Sequence, residues 1–110
     1  GEIPSDTVYE DEKVIAFNDI SPAAPVHVLV LPKGEYVSFD DFAAHAPAQD
    51  IAHFYAAIQK IAADKGLQKS GYRLICNHGP DASQTVPHFH VHILGGAALG
   101  GLLASDKLTR

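Results

Sequence analysis

The sequence has one cysteine and no methionine or tryptophan. A lone thiol, Cys76, cannot form an intrachain disulfide, which excludes a disulfide-stapled scaffold and removes any sign of an oxidising compartment. It lies in the apolar run Tyr72-Arg73-Leu74-Ile75-Cys76 and is expected to be a packed, unreactive thiol. Without methionine, Gly1 is not an initiator, so residues are expected to precede it in the natural chain. Positive charge is also scarce: 8 Lys and Arg stand against 13 Asp and Glu, for a formal net charge of -5 with His neutral. That balance lacks the basic face that DNA or RNA would require. The apolar stretch around residues 23–31 contains Pro25 and His27 and is too short to cross a bilayer, and no signal-peptide pattern opens the chain. A cytoplasmic protein without a membrane partner is expected.

What is present suffices for one small core. At 110 residues, 46% hydrophobic and 19% charged, the chain reads as a single globular domain spanning residues 1–110. Residues 8–10 and 14–18 are β-prone runs separated by Asp11-Glu12-Lys13, a hairpin pattern. Residues 26–31 are nearly continuous apolar and β-branched, which suits a central strand buried on both faces, with His27 its only polar member. Ser38 and Asp41 have capping-box spacing and predict a short helix over residues 38–45. Beyond Pro47, the residues Ile51, Phe54, Tyr55, Ile58, Ile61 and Ala62 recur at three and four, and Gly66 stops the pattern: a long amphipathic helix over residues 47–65. Strands follow over 72–77 and 86–94, separated by the turn formers Gly79-Pro80-Asp81-Ala82-Ser83-Gln84. The fold class is α+β, an antiparallel sheet with one long helix and one short one. The glycine-rich run 95–101 reads as a connector to a tail.

The chemistry is concentrated in His88-Phe89-His90-Val91-His92. A histidine in a strand is ordinarily a hydrogen-bonded structural residue, but three at alternate positions are harder to explain that way. In an extended strand they project from one face at roughly 6.6 Å per step, leaving Phe89, Val91 and Ile93 for the core. Grouped imidazoles repel one another as cations, so most stay neutral and are available as nucleophiles, proton carriers or metal ligands.

This motif, with Leu94-Gly95-Gly96 behind it, resembles the signature of the histidine triad (HIT) superfamily and its histidine-triad nucleotide-binding (Hint) branch. The resemblance extends to Glu2-Ile3-Pro4, Tyr9-Glu10-Asp11-Glu12, Ala16-Phe17-Asn18-Asp19-Ile20-Ser21-Pro22, Pro25-Val26-His27-Val28-Leu29-Val30-Leu31-Pro32-Lys33 and Gln84-Thr85-Val86-Pro87. It implies that His90 attacks the α-phosphorus of a nucleotide, that His92 donates to a phosphate oxygen, and that His27 and His88 form a supporting hydrogen-bonded pair. Attack through Nε2 requires a backbone carbonyl to hold the proton on Nδ1 of His90. Thr85 stands where relatives usually have Ser and a hydroxyl assists the leaving group. Asn77 and Gln84 match phosphate or leaving-group contacts. Ser83 falls where Gly is common and a backbone amide faces phosphate. Asp19 matches the acid that binds both ribose hydroxyls, although as a plain residue it reads as a turn former before Ser21-Pro22. Asn18 and Ile20 flank it in the substrate-binding set, and Phe17, Ile20 and Leu29 match a base pocket or, equally, core positions. His45, His53 and His78 match no catalytic position and are expected at the surface.

The activity implied is hydrolysis of the phosphorus–nitrogen bond of purine nucleoside phosphoramidates, with AMP or GMP as the nucleotide and a homodimer as the assembly. The dinucleoside polyphosphate hydrolases of the same superfamily are an alternative, but they tend to follow the triad with Pro-Arg rather than Gly95-Gly96. A regulatory protein binding nucleotide or zinc is another. Zinc is possible through His27 and the triad but not required, because no carboxylate adjoins the triad and only one cysteine is present. The family's short apolar N-terminal segment is missing, and the tail over residues 97–110 departs from the Trp-Pro-Pro-Gly type ending of relatives.

Overall fold

A computed structural model describes residues 6–103; the Glu2-Ile3-Pro4 match and the end of the tail lie outside them. The order is β1 (Thr7–Glu10), β2 (Val14–Asn18), β3 (Val26–Pro32), α1 (Phe39–His45), α2 (Ala48–Asp64), β4 (Tyr72–Ile75) and β5 (Val91–Gly95). The five strands form one antiparallel sheet in the order β1-β2-β3-β5-β4, so the α+β expectation holds.

Local chemistry explains each boundary. At the β1–β2 turn the Asp11 carboxylate accepts from the amides of Lys13 and Val14, closing the hairpin. Ser38 caps α1 by accepting from the Asp41 amide, while Asp41 reaches back to the Val37 amide rather than to Ser38 itself. At the end of α2, Gly66 takes a φ of 76°, and the amides of Gly66 and Leu67 bond to the carbonyls of Ala63 and Ala62. That is a Schellman ending, and it returns Leu67 to the core.

Alternation along the strands gives the sheet two different faces. Val14, Ala16, Val28, Val30, Val91 and Ile93 pack against Phe42 of α1 and Phe54, Ala57, Ile58 and Ile61 of α2. Phe42 stacks on Phe89 with ring centroids 4.7 Å apart. The opposite face is left uncovered by the helices. Leu29 and Leu31 are accordingly only partly buried, so β3 is not enclosed on both faces as its apolar sequence predicts.

Two strands are shorter than expected. The fourth, β4, ends at Ile75 rather than at residue 77. The triad strand begins at Val91 rather than at residue 86, because the preceding backbone is bonded elsewhere: the His88 amide to the Val86 carbonyl and the Phe89 amide to the Tyr36 carbonyl. Burial of the Phe89 ring takes precedence over continuing the ladder. Cys76 is exposed rather than packed, yet partial burial pushes its thiol pKa up, away from reactivity. The glycine-rich run is anchored: the Arg73 guanidinium donates to the carbonyls of Gly100 and Gly101.

Candidate active site

The uncovered face of the sheet carries the histidines. In register, Leu29 lies opposite Phe17 on one side and His92 on the other, and His27 lies opposite Leu94. Two loops rise over this row, one after β2 that carries Asp19, the other before β5 that carries residues 77–86. Together they enclose a cavity of about 320 Å³. Asp19, Leu29, Asn77, Ser83, Gln84, Thr85, His90 and His92 line it, and Val86 is added by the structure alone. Nothing in the sequence separates Val86 from an ordinary strand residue. Asn18 and His27 are on its far side, where with Asp19, Pro22, Pro25 and Lys65 they border a second cavity of about 250 Å³. Phe17, Ile20 and His88 line neither cavity; Ile20 is 86% exposed.

The hydrogen bonds determine where each ring proton sits. Nδ1 of His90 is 2.8 Å from the His88 carbonyl oxygen, so it carries the proton and donates. Nε2 is left with a lone pair, and the carbonyl that the sequence could not identify is that of His88. Nδ1 of His27 faces the Ala23 amide at 2.9 Å and must accept, which puts the His27 proton on Nε2. From there it points to Nδ1 of His92 at 2.8 Å, leaving the His92 proton on Nε2. The partner of His27 is therefore His92, not His88 as expected. His88 instead bonds through Nε2 to the Pro32 carbonyl, because the antiparallel register that sets His92 opposite Leu29 runs the chain at 88 toward the Pro32 end of β3, away from His27.

Burial, then the neighbouring His90 and His27, push the His92 pKa below its ordinary 6.5, with Asp19 opposing. At neutral pH His92 is an uncharged N–H donor.

Other polar groups are committed to the loops. Ser83 has φ 63° and ψ 37°, a left-handed conformation that explains why glycine is favoured there. Its amide bonds to the Pro80 carbonyl, so it is not available to a phosphate in this conformation. Gln84 accepts from the Gly79 amide and donates to the carbonyls of Val37 and Val86, holding the loop against the segment before α1. Asp19 uses one carboxylate oxygen to accept from the Ser21 amide, as a turn former does, and its other oxygen is 3.5 Å from Nε2 of His27. Exposed His45, His53 and His78 pair with Asp41, Asp11 and Asp40, away from the cavity.

Asp19, His27 and His92 bring three potential metal-ligand atoms within 4.8 Å of one another, so a carboxylate does adjoin the histidines in space although none does in sequence. The donor chemistry does not fit an ion. Two imidazoles on a tetrahedral zinc hold their nitrogens about 3.3 Å apart with both lone pairs aimed at the metal. Here the two nitrogens are 2.8 Å apart and share a proton. Freeing Nε2 of His27 would move its proton to Nδ1, against the Ala23 N–H.

The chain is similar to known proteins over most of its length. The purine nucleoside phosphoramidase of Escherichia coli K12 is 44% identical over 107 residues, 97% of this chain and 89% of its own. A 14 kDa zinc-binding protein of Zea mays is 43% identical over 99 residues, 86% of this chain and 74% of its own. The solved structure of a HIT family hydrolase from Clostridium thermocellum superposes with a TM-score of 0.85 at 47% identity, covering 93% of this chain and 89% of that one. The HIT domain model matches residues 1–99, and on this match, the identities and the shared fold, the chain belongs to the HIT domain family.

Proposed function

We propose that the protein hydrolyses the phosphorus–nitrogen bond of purine nucleoside phosphoramidates through a covalent nucleotidyl-histidine at His90. The observation that carries this reading is the 2.8 Å bond from Nδ1 of His90 to the His88 carbonyl, which in the neutral ring puts the lone pair on Nε2, on a ring that lines the cavity. Its lone pair attacks the α-phosphorus as the bond to the amine breaks, and the amine leaves with a proton supplied beside it by the Thr85 hydroxyl. His92, uncharged, donates from Nε2 to the phosphoryl oxygen on which negative charge accumulates. Water then attacks phosphorus as its proton passes to the Thr85 oxygen, restoring the hydroxyl, while the bond to Nε2 of His90 breaks; the nucleoside monophosphate departs and the imidazole is regenerated. Asp19 takes the ribose hydroxyls, Leu29 lies toward the base, and Asn77 contacts phosphate. The phosphoramidase activity named for the Escherichia coli relative supports the substrate class. Two copies of the chain form the working assembly.

His90→Ala is expected to abolish turnover of an adenosine phosphoramidate while nucleotide affinity stays within a few-fold, since the binding contacts remain. Mass spectra of rapidly quenched reactions should show a nucleotidyl adduct on the unmodified protein and none on the variant. Turnover by His90→Ala near that of the original protein excludes His90 as nucleophile.

A further inference from the structure

The resting proton positions of His27 and His92 rest on one backbone group outside the cavity. The segment Pro22-Ala23-Ala24-Pro25 leads directly into β3, and its Ala23 N–H points at Nδ1 of His27. An amide N–H can only donate. His27 is 8% exposed, so this bond is shielded from solvent and its direction dictates the proton positions that follow.

We propose that the Ala23 amide is the positioning group for His92: it holds the lone pair of His27 on Nδ1, which puts a donating N–H on Nε2 of His27 and thereby keeps the His92 proton on Nε2, facing the cavity. The inference deepens the proposed function, since it is the reacting phosphoryl group that would use the His92 donor. Ala23 touches no substrate and acts through two imidazoles. Flanking prolines restrict the backbone on both sides of the amide, which keeps its direction constant. The two reactive rings are thus set by independent devices. His90 takes its tautomer from a carbonyl two residues earlier in the chain, whereas His92 takes its tautomer from an amide reached through another strand. The relay also explains why Asp19, 3.5 Å from Nε2 of His27, does not capture that proton: the His92 nitrogen is closer by 0.7 Å, from 3.5 Å against 2.8 Å.

The test is heteronuclear NMR of the full chain, uniformly labelled with nitrogen-15 and free of nucleotide. Couplings across hydrogen bonds are expected between the Ala23 amide nitrogen and Nδ1 of His27, and between Nε2 of His27 and Nδ1 of His92. Ring correlations should place protons on Nε2 of His27, Nε2 of His92 and Nδ1 of His90. A proton on Nδ1 of His27 or of His92, or a missing Ala23 coupling, overturns the proposal whatever the enzyme does. Both couplings present, with no phosphoramidate turnover, leave the relay standing and reject the functional reading. His27→Gln, whose side-chain amide can accept from Ala23 and donate to His92, is then compared with His27→Leu. The leucine variant is expected to lose about tenfold or more in kcat with KM little changed, and glutamine to recover part of that loss. Equal kcat for His27→Leu and the original protein also overturns the proposal, because a positioning relay that can be deleted without effect positions nothing.

Discussion

Asp19 illustrates how one side chain can serve both as a turn residue and at a site. One carboxylate oxygen secures the loop by accepting from Ser21, and the other lies toward His27 at the edge of the cavity. Asparagine retains an acceptor for Ser21 but loses the charge and one of the two acceptor oxygens that a pair of ribose hydroxyls would use. Asp19→Asn is therefore expected to weaken ribonucleotide binding by about 1–3 kcal/mol and to leave a dideoxyribose analogue nearly unaffected. Titration calorimetry of the folded variant with both ligands checks this. An equal loss for both would reduce Asp19 to its turn. At this scale most of the residues that line the cavity were legible through the family resemblance, Val86 excepted, while Phe17, Asn18 and Ile20 were expected there and do not line it; the proton positions were not legible. They depend on the Ala23 amide and the carbonyls of His88 and Pro32, backbone groups that every residue possesses and no sequence pattern marks.

Among the elements, the β1–β2 hairpin is tied to α2 through polar contacts of Asp11 with His53 and of Lys13 with Asp50. Partial burial opposes ionisation of the Asp11 carboxyl, but hydrogen bonds from the Tyr9 hydroxyl, the Lys13 amide, the His53 ring and the Val14 amide outweigh that and hold the pKa well below the usual carboxylate range. A carboxyl that binds its proton less readily when folded contributes stability that is full above its ordinary value of 3.8 and is lost as pH falls through the folded value. Asp11→Ala should cost about 1–3 kcal/mol at pH 7, and the gap from the original protein should close in strong acid. Urea unfolding across that range measures it, and a gap independent of pH would assign the loss to packing alone. The hairpin, the helix with its Gly66 stop and the apolar β3 were each readable because local pattern and tertiary structure agree there. The start of β5 was not, since alternation of His88, His90 and His92 continues through residues whose amides bond out of the sheet to Val86 and Tyr36.

Across the whole molecule, the cover that α2 provides stops short of one sheet edge. Ile93 on β5 is fully buried, yet its register partner on β4, Leu74, is 44% exposed, and Tyr72 on the same face is 38% exposed. Tyr55 of α2, 40% exposed, extends the same apolar surface. Among the described residues β4 pairs only with β5, so its outer edge presents unpaired amides and carbonyls beside exposed apolar side chains, a combination that proteins seldom leave in water. A second copy of the chain would satisfy both needs at once. Antiparallel pairing of β4 with its own equivalent is self-complementary under a two-fold axis, continues the sheet across the interface and adds apolar burial to a core that 110 residues keep small. This supports the homodimer, with α2 and β4 as the contact. Sedimentation at micromolar concentration is expected to give twice the chain mass, and Leu74→Lys, which places a charge on the shared face, should shift the population toward monomer without unfolding it. A monomer before any substitution would refute the interface. A dimer indifferent to Leu74→Lys would move it away from β4.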